Sequence, residues 1–418
     1  MDGMDAFRAA NPGKAQALMD IIERGMKEGQ SCTVFPSILL RLLTSPTIDK
    51  AAMEEYRADE TTSFPNRRAN AEESQGSEIV AFNVSAGHLI TGCHVCGLKT
   101  NNSRCGGCKV VFYCGQEHQT SDRPAHKGFC GKIKKARTRL EAQEITLRAH
   151  AGDMDTPPNA FADGGEGLGR FWGYKGTRPY MQARYSLIDA LLRINTTQAI
   201  EAALEHGMDM LRLNRSDNQG IRSIIPSLFL RLRRDQECYD LLKRWNTISQ
   251  GEDDEFDWTT TTKDQDAFEP VIDFLKGFNP LSHLVSLSLL KIRMLIDMRG
   301  FSTKPRSQDF VSSIVAKDRT TFESGGSEVI CDWLRKLVMN LYVAVVCANQ
   351  HFWPALLSPG DNLTIRPNGF MMGSQAEMQV TLQWSYNAWV ETPGAFAVLE
   401  EMARDPGVRE ALARFSES

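Results

Sequence analysis

The sequence predicts a mainly α-helical protein in which a short cysteine- and histidine-rich module precedes a large helical domain. Three observations carry this. Apolar residues recur at helical spacing through most of the second half, and strand-like alternation is scarce. Six of the ten cysteines fall between Cys93 and Cys130, whereas Cys32, Cys238, Cys331 and Cys347 are scattered. The composition, 42% hydrophobic and 24% charged, is that of an ordinary globular chain, which argues against wholesale disorder, a collagen-like repeat or a membrane-embedded fold. At roughly 100–200 residues per domain, 418 residues allow two to four units.

Taken in order, residues 1–58 read as a helical element, because Leu18, Ile21, Ile22 and Met26 lie on one helical face. Residues 59–90 are polar and aperiodic, as expected of a linker. The Cys/His module spans 91–131 and a connecting helix is expected over 132–150. Residues 151–170, with Pro157-Pro158 and a run of glycines, read as a second linker. The rest, 171–418, reads as an α-helical domain. Helices are expected at 180–193, 196–212, 218–233 and 235–248, so that helix pairs recur about every 36 residues. Asn195-x-x-Gln198 and Ser216-x-x-Gln219 have the form of reciprocal N-terminal caps. Pro226 predicts a kinked or late-starting helix. Further helices are expected at 267–278, 280–298, 326–349, 374–391 and 394–415, with a polar connection over 301–325 and an irregular loop over 351–373. Residues 216–242 resemble a tetratricopeptide-type helix pair, with an Arg-Asp pair at the turn, although that family's aromatic-Leu-Gly signature is missing. The resemblance implies a TPR-like helical domain.

Charge excludes little but is informative. The 48 basic and 52 acidic residues leave a net charge of −4, so no global field favours nucleic acid as a partner. The start of the chain lacks the apolar core of a secretory signal, and no apolar run approaches the ~20 residues of a membrane span. An intracellular setting, cytoplasmic or nuclear and without membrane insertion, is therefore expected. In such a reducing compartment a dense cysteine cluster points to metal binding or redox chemistry rather than disulfides.

The spacing favours metal. Cys93-x-x-Cys96 and Cys105-Gly-Gly-Cys108 are tight turns that let two thiolates reach one tetrahedral ion. Cys114-x-x-x-His118 and His126-x-x-x-Cys130 place side chains four apart, on one face of a helical turn. Eight ligands divide into two sets of four, each closing around one Zn2+. A redox reading of the CxxC pairs lacks the surrounding βαβ pattern. His94, beside Cys93, reads as a spare group.

The run also resembles a MYND-type zinc finger, matching Tyr113-Cys114, Gln119, Asp122, Pro124, His126, Lys127 and Cys130 in order and spacing. The resemblance implies interleaved, cross-braced sets: Cys93, Cys96, Cys114 and His118 around one zinc, and Cys105, Cys108, His126 and Cys130 around the other. It further implies protein partners, including proline-rich peptide motifs, often in transcriptional regulation. Two positions depart from the family. His118 stands where Cys is usual, a change zinc accepts, and Arg123 replaces a Trp near the family's peptide-gripping surface.

Four protein ligands per ion leave no open position for water, so both zincs are expected to be structural and the chain non-enzymatic. A SET-type lysine methyltransferase, which can carry such a finger, would need a Gly-x-Gly cofactor strand, an Asn-His-x-x-Cys segment and a late Tyr, and the chain after Gly131 reads as helical with no such constellation. A nucleic-acid-binding alternative would use 132–139, where five of eight residues are basic. The glycine run at 164–169 has the wrong register for a dinucleotide fingerprint. His206, His283 and His351 lack the partners of a catalytic triad.

Overall fold

The computed structural model describes residues 89–249, 263–275, 279–300, 310–317 and 327–416. The helical element expected at 1–58 and nearly all of the linker expected at 59–90 lie outside them. Among the described residues, strand is confined to a minimal antiparallel pair, β1 (Ser103–Arg104) and β2 (Phe112–Tyr113), in the register Ser103 to Tyr113. Everything else that is regular is helical, and no helix among the described residues is long and apolar enough to cross a membrane.

Helix α1 (Gln116–Arg148) is the link between the two parts of the molecule. The helix expected over 132–150 is only its C-terminal half. Its first half escapes hydrophobic periodicity because the buried face there carries His126 and Cys130 instead of aliphatic residues. That stripe continues through Ile133, Leu140 and Leu147, at the spacing of one helical face. One side of a single helix thus faces the cysteine module at its start and packs along α2 (Arg178–Leu191) at its end.

Residues 151–170 fold back onto this junction. Ala160 is buried, Phe161 packs on Phe171 and Tyr180 at 5.2 and 5.1 Å between ring centroids, and the Arg148 guanidinium lies 4.3 Å from the Phe161 ring centre. Helix α3 (Thr197–Leu213) follows, packed on α2. Its cap is Thr196, whose Oγ1 accepts from the Ala199 N–H at 3.3 Å. Asn195 instead accepts from Arg231. Likewise Asp217, not Ser216, caps the next turn, accepting from the N–H groups of Ile221 and Arg222 at 2.8 and 2.9 Å. Both caps shift by one because adjacent residues offer equivalent side-chain oxygens.

Helix α4 (Ile225–Arg231) starts late, with Pro226 in its first turn, where its missing N–H leaves no bond unmade. Helix α5 (Asp235–Ser249) completes the pair. The helix expected at 267–278 is reduced to a 3-10 turn, Val271–Leu275, preceded by Pro270.

Helix α6 (Leu281–Gly300) is the hub: every side chain from Leu281 to Leu295 is buried, including Lys291 and Arg293. It contacts α4, α5, α7 (Ser313–Lys317), α8 (Ser327–Ala348), α10 (Gln375–Val390) and α11 (Ala395–Arg404). A helix apolar on all sides must be surrounded. Its buried charges are answered: Arg293 pairs with Asp235 at 2.9 Å and donates to the Leu230 carbonyl at 2.7 Å, and Lys291 donates to the Ala267 carbonyl. Two further expectations are corrected. The loop at 351–373 contains α9 (Phe352–Leu357), where Phe352 and Trp353 are buried. The helix expected at 394–415 is two, α11 and α12 (Pro406–Ser416), broken at extended Asp405, whose Oδ1 accepts from Gly407 and Val408.

Candidate metal centres

The structure brings all eight predicted ligands into two sets, Cys93, Cys96, Cys114 and His118, and Cys105, Cys108, His126 and Cys130, with the donor atoms of each set within 4.8 Å of one another. Their order along the chain is interleaved, as the resemblance implied.

Each half-site has a local cause. Cys93 and Cys96 sit on a turn closed by the Gly97 N–H to the Cys93 carbonyl and the Cys93 N–H to the Leu98 carbonyl, both 2.8 Å. Gly92 is required before it: φ is +96°, and a β-carbon would lie 2.4 Å from the Leu98 oxygen. Cys114 leaves β2, and His118 stands in the first turn of α1. In the second site the Lys109 N–H closes the turn on the Cys105 carbonyl at 2.9 Å. His126 and Cys130 come from successive turns of α1.

The donor atoms fit four-coordinate zinc. Tetrahedral bonds of ~2.3 Å to sulfur and ~2.0–2.1 Å to nitrogen put S···S at about 3.8 Å and S···N at about 3.5 Å. Here Cys96 Sγ lies 3.7 Å from Cys114 Sγ and Cys105 Sγ 3.7 Å from Cys130 Sγ. Cys93 Sγ to His118 Nδ1 and Cys108 Sγ to His126 Nε2 are both 3.5 Å, while Cys114 Sγ approaches His118 Nδ1 more closely, at 3.0 Å.

Electrostatics point the same way. Burial acts to raise the Cys93 thiol, but backbone N–H groups of Cys96, Cys114 and Val95 outweigh it and bring the pKa down to about 6. Cys105 is lowered in the same manner by the amides of Cys108 and Gly107. Cys108, by contrast, is pushed up to about 12 by burial, with the neighbouring thiolates of Cys105 and Cys130 adding to the effect. Three thiolates this close need a cation to ionise together, and a divalent metal reverses the penalty. The chain therefore holds two Cys3His zinc-binding clusters.

Several supporting residues escape a reading of the sequence. Arg137, in the basic stretch 132–139, is turned back to the second site, donating to the Cys108 carbonyl at 2.8 Å and the Gly107 carbonyl at 3.4 Å. Lys132, Lys134, Lys135 and Arg139 remain exposed. Thr196 Oγ1 donates to the Val110 carbonyl at 2.8 Å, and Ile90 exchanges backbone bonds with Asn195 and Thr197 at 3.2 Å, fastening the module to the start of α3. Tyr113 donates to Asp122 at 2.6 Å and sets its ring edge-on to His126, 6.1 Å away. His94 belongs to neither set, and Arg123 is exposed on α1. His283 is buried against Trp245, and His206 receives a bond from Arg184 at 3.3 Å.

Residues 93–130 match the MYND finger family. This segment is thus a zinc-binding module of the protein-interaction type. Among curated proteins, a Rho GTPase-activating protein, gacZ of Dictyostelium discoideum, is 40% identical over 52 residues, which is 12% of this chain and 5% of that protein. The chain thus matches only a small fraction of that relative's length. No solved structure matches the chain.

Proposed function

We propose that this protein is a non-enzymatic adaptor that binds other proteins, proline-containing peptides among them, and that Cys93, Cys96, Cys114 and His118, with Cys105, Cys108, His126 and Cys130, ligate two structural zinc ions. The observation that supports it most is the closure of both sites: three cysteines and one histidine fill a tetrahedral ion and leave no position for substrate or water. Zinc supplies folding free energy to a segment with few large apolar side chains. Attachment of the finger to α1 and to the start of α3 favours a role in which the helical body presents the module to partners. Transcriptional regulation is the setting carried over from the family. The activity in the name of the Dictyostelium relative stays with that protein.

The test is affinity purification of the full chain against its Cys114→Ser variant from the same cells, with zinc content measured in parallel. Partners lost with the first zinc site support the proposal. An unchanged partner set in a chain that has lost that zinc refutes the finger as the interaction site.

A further inference from the structure

The helical domain encloses open space that no finger residue lines. A cavity of about 610 Å3 opens between α2, the Ile221–Ser223 turn, α4, the start of α6, residues 366–372 and α10. Its size falls in the ~300–1,000 Å3 range of ligand sites. No residue of 89–150 contributes to it.

Three polar groups on its walls have no partner in the folded chain. Arg193 is 8% exposed and gives its Nε and Nη2 to Asp189, yet its buried Nη1 has no acceptor. Ser282, 4% exposed, has an unbonded Oγ, and Gln219 has an unbonded, buried Oε1. Buried polar atoms are nearly always satisfied, and each one left alone destabilises the fold. Three around one cavity mark a place where an incoming molecule completes the bonding.

The charges show what that molecule carries. Arg231 on the wall has its own carboxylate, Glu391, at 2.6 Å, and Arg222 faces Asp217 at 3.8 Å. Glu377 is held by Asn349 at 3.1 Å and the Gly373 N–H at 2.7 Å. What remains is Arg193 and Arg366, which share a single carboxylate, Asp189, each at 2.8 Å. That end of the cavity has one positive charge in excess and an unused guanidinium N–H. The remaining walls are largely apolar, and the mouth is edged by Phe370 and Met372, 49% and 46% exposed.

We propose that this cavity binds a short peptide segment of a partner protein in which a carboxylate stands beside a large apolar side chain. The carboxylate bridges Arg193 Nη1 and Arg366, the apolar side chain lies against Leu228 and Trp384, and a backbone N–H reaches Gln219 Oε1. A peptide supplies donor and acceptor together, which the orphaned acceptor of Gln219 and donor of Arg193 both require. This site is independent of the finger, so its failure and that of the adaptor proposal are separable.

The experiment uses the full zinc-loaded chain and a positional library of N-acetylated pentapeptides. Selection of Asp or Glu next to an aromatic or large aliphatic residue is expected. A fluorescein-labelled peptide of the selected sequence should bind Arg366→Glu and Gln219→Leu roughly 10- to 100-fold more weakly, the loss expected for a charge-assisted or buried hydrogen bond. Lys134→Ala, at an exposed position outside both the metal sets and the cavity, should leave that affinity unchanged. Circular dichroism melts establish that the variants fold, and Arg366→Ala, at an exposed rim position, serves should Arg366→Glu not. Selection without acidic preference, equal affinity for Arg366→Glu or Arg366→Ala and wild type, or binding of decanoate or indole-3-propionate as tight as the peptide would each overturn the proposal.

Discussion

Replacing Gly107 by alanine tests the second zinc site without touching a ligand. A β-carbon built on Gly107 lies 2.6 Å from Cys130 Sγ and 3.9 Å from Cys105 Sγ. Ordinary carbon–sulfur contact lies near 3.7 Å, so Cys130 Sγ must retreat by about 1 Å, several times the ~0.2 Å that a zinc ligand tolerates. A cysteine side chain can rotate away cheaply, so the metal-free chain accepts alanine and the cost falls on the metal. Loss of proper engagement by one of four ligands should weaken zinc at that site at least roughly 100-fold, about 3 kcal/mol. Gly106→Ala is the matched control, since no atom lies within 4 Å of a β-carbon there. Competition against a chromophoric chelator, with zinc counted by elemental analysis, would show Gly106→Ala retaining two ions and Gly107→Ala retaining one tightly. Two tightly held ions in Gly107→Ala would refute the packing argument.

Three more tests address the frame around the sites. Arg137→Ala removes both bonds to the Gly107–Cys108 turn and should lower affinity at the second site about 10-fold, measured by the same chelator competition. Arg231→Met removes the guanidinium from a buried ion pair with Glu391 whose side chains are 3% and 8% exposed, and should cost about 3–5 kcal/mol in urea unfolding. Arg231→Met combined with Glu391→Leu should recover most of that loss. His283, held down to about 4 from 6.5 chiefly by burial, stays neutral in the fold while the unfolded chain protonates. Its contribution is complete above its unfolded pKa and is lost as pH falls from 6.5 toward 4, by about 2 kcal/mol at pH 5. His283→Gln should flatten that part of the stability profile, leaving a residual acid dependence from His206, also lowered to about 4, mainly by burial.

Much of the metal chemistry was legible in the sequence because ligand identity and spacing are local. Two residues between cysteines close a turn whatever surrounds it, and three between Cys and His span a helical turn. The helices from 180 onward were legible for the same reason, since amphipathic spacing is a local record of which face is buried. Where the local record is ambiguous the reading failed. Thr196 and Asp217 took the caps from their neighbours, Pro270 and the Asp405-Pro406 step cut predicted helices, and the buried face of α1 was hidden where ligands replaced aliphatic residues.

Sequence alone determined that this is a helical protein bearing a two-zinc module, because coordination and helix formation depend on residues a few positions apart. Only the tertiary structure decided that Arg137 braces the finger rather than facing solvent, that α6 is the hub, and that Arg193, Gln219 and Ser282 meet around one cavity. Those are contacts between residues far apart along the chain. They are settled by which side chains burial leaves without a partner, and burial is a property of the packed whole.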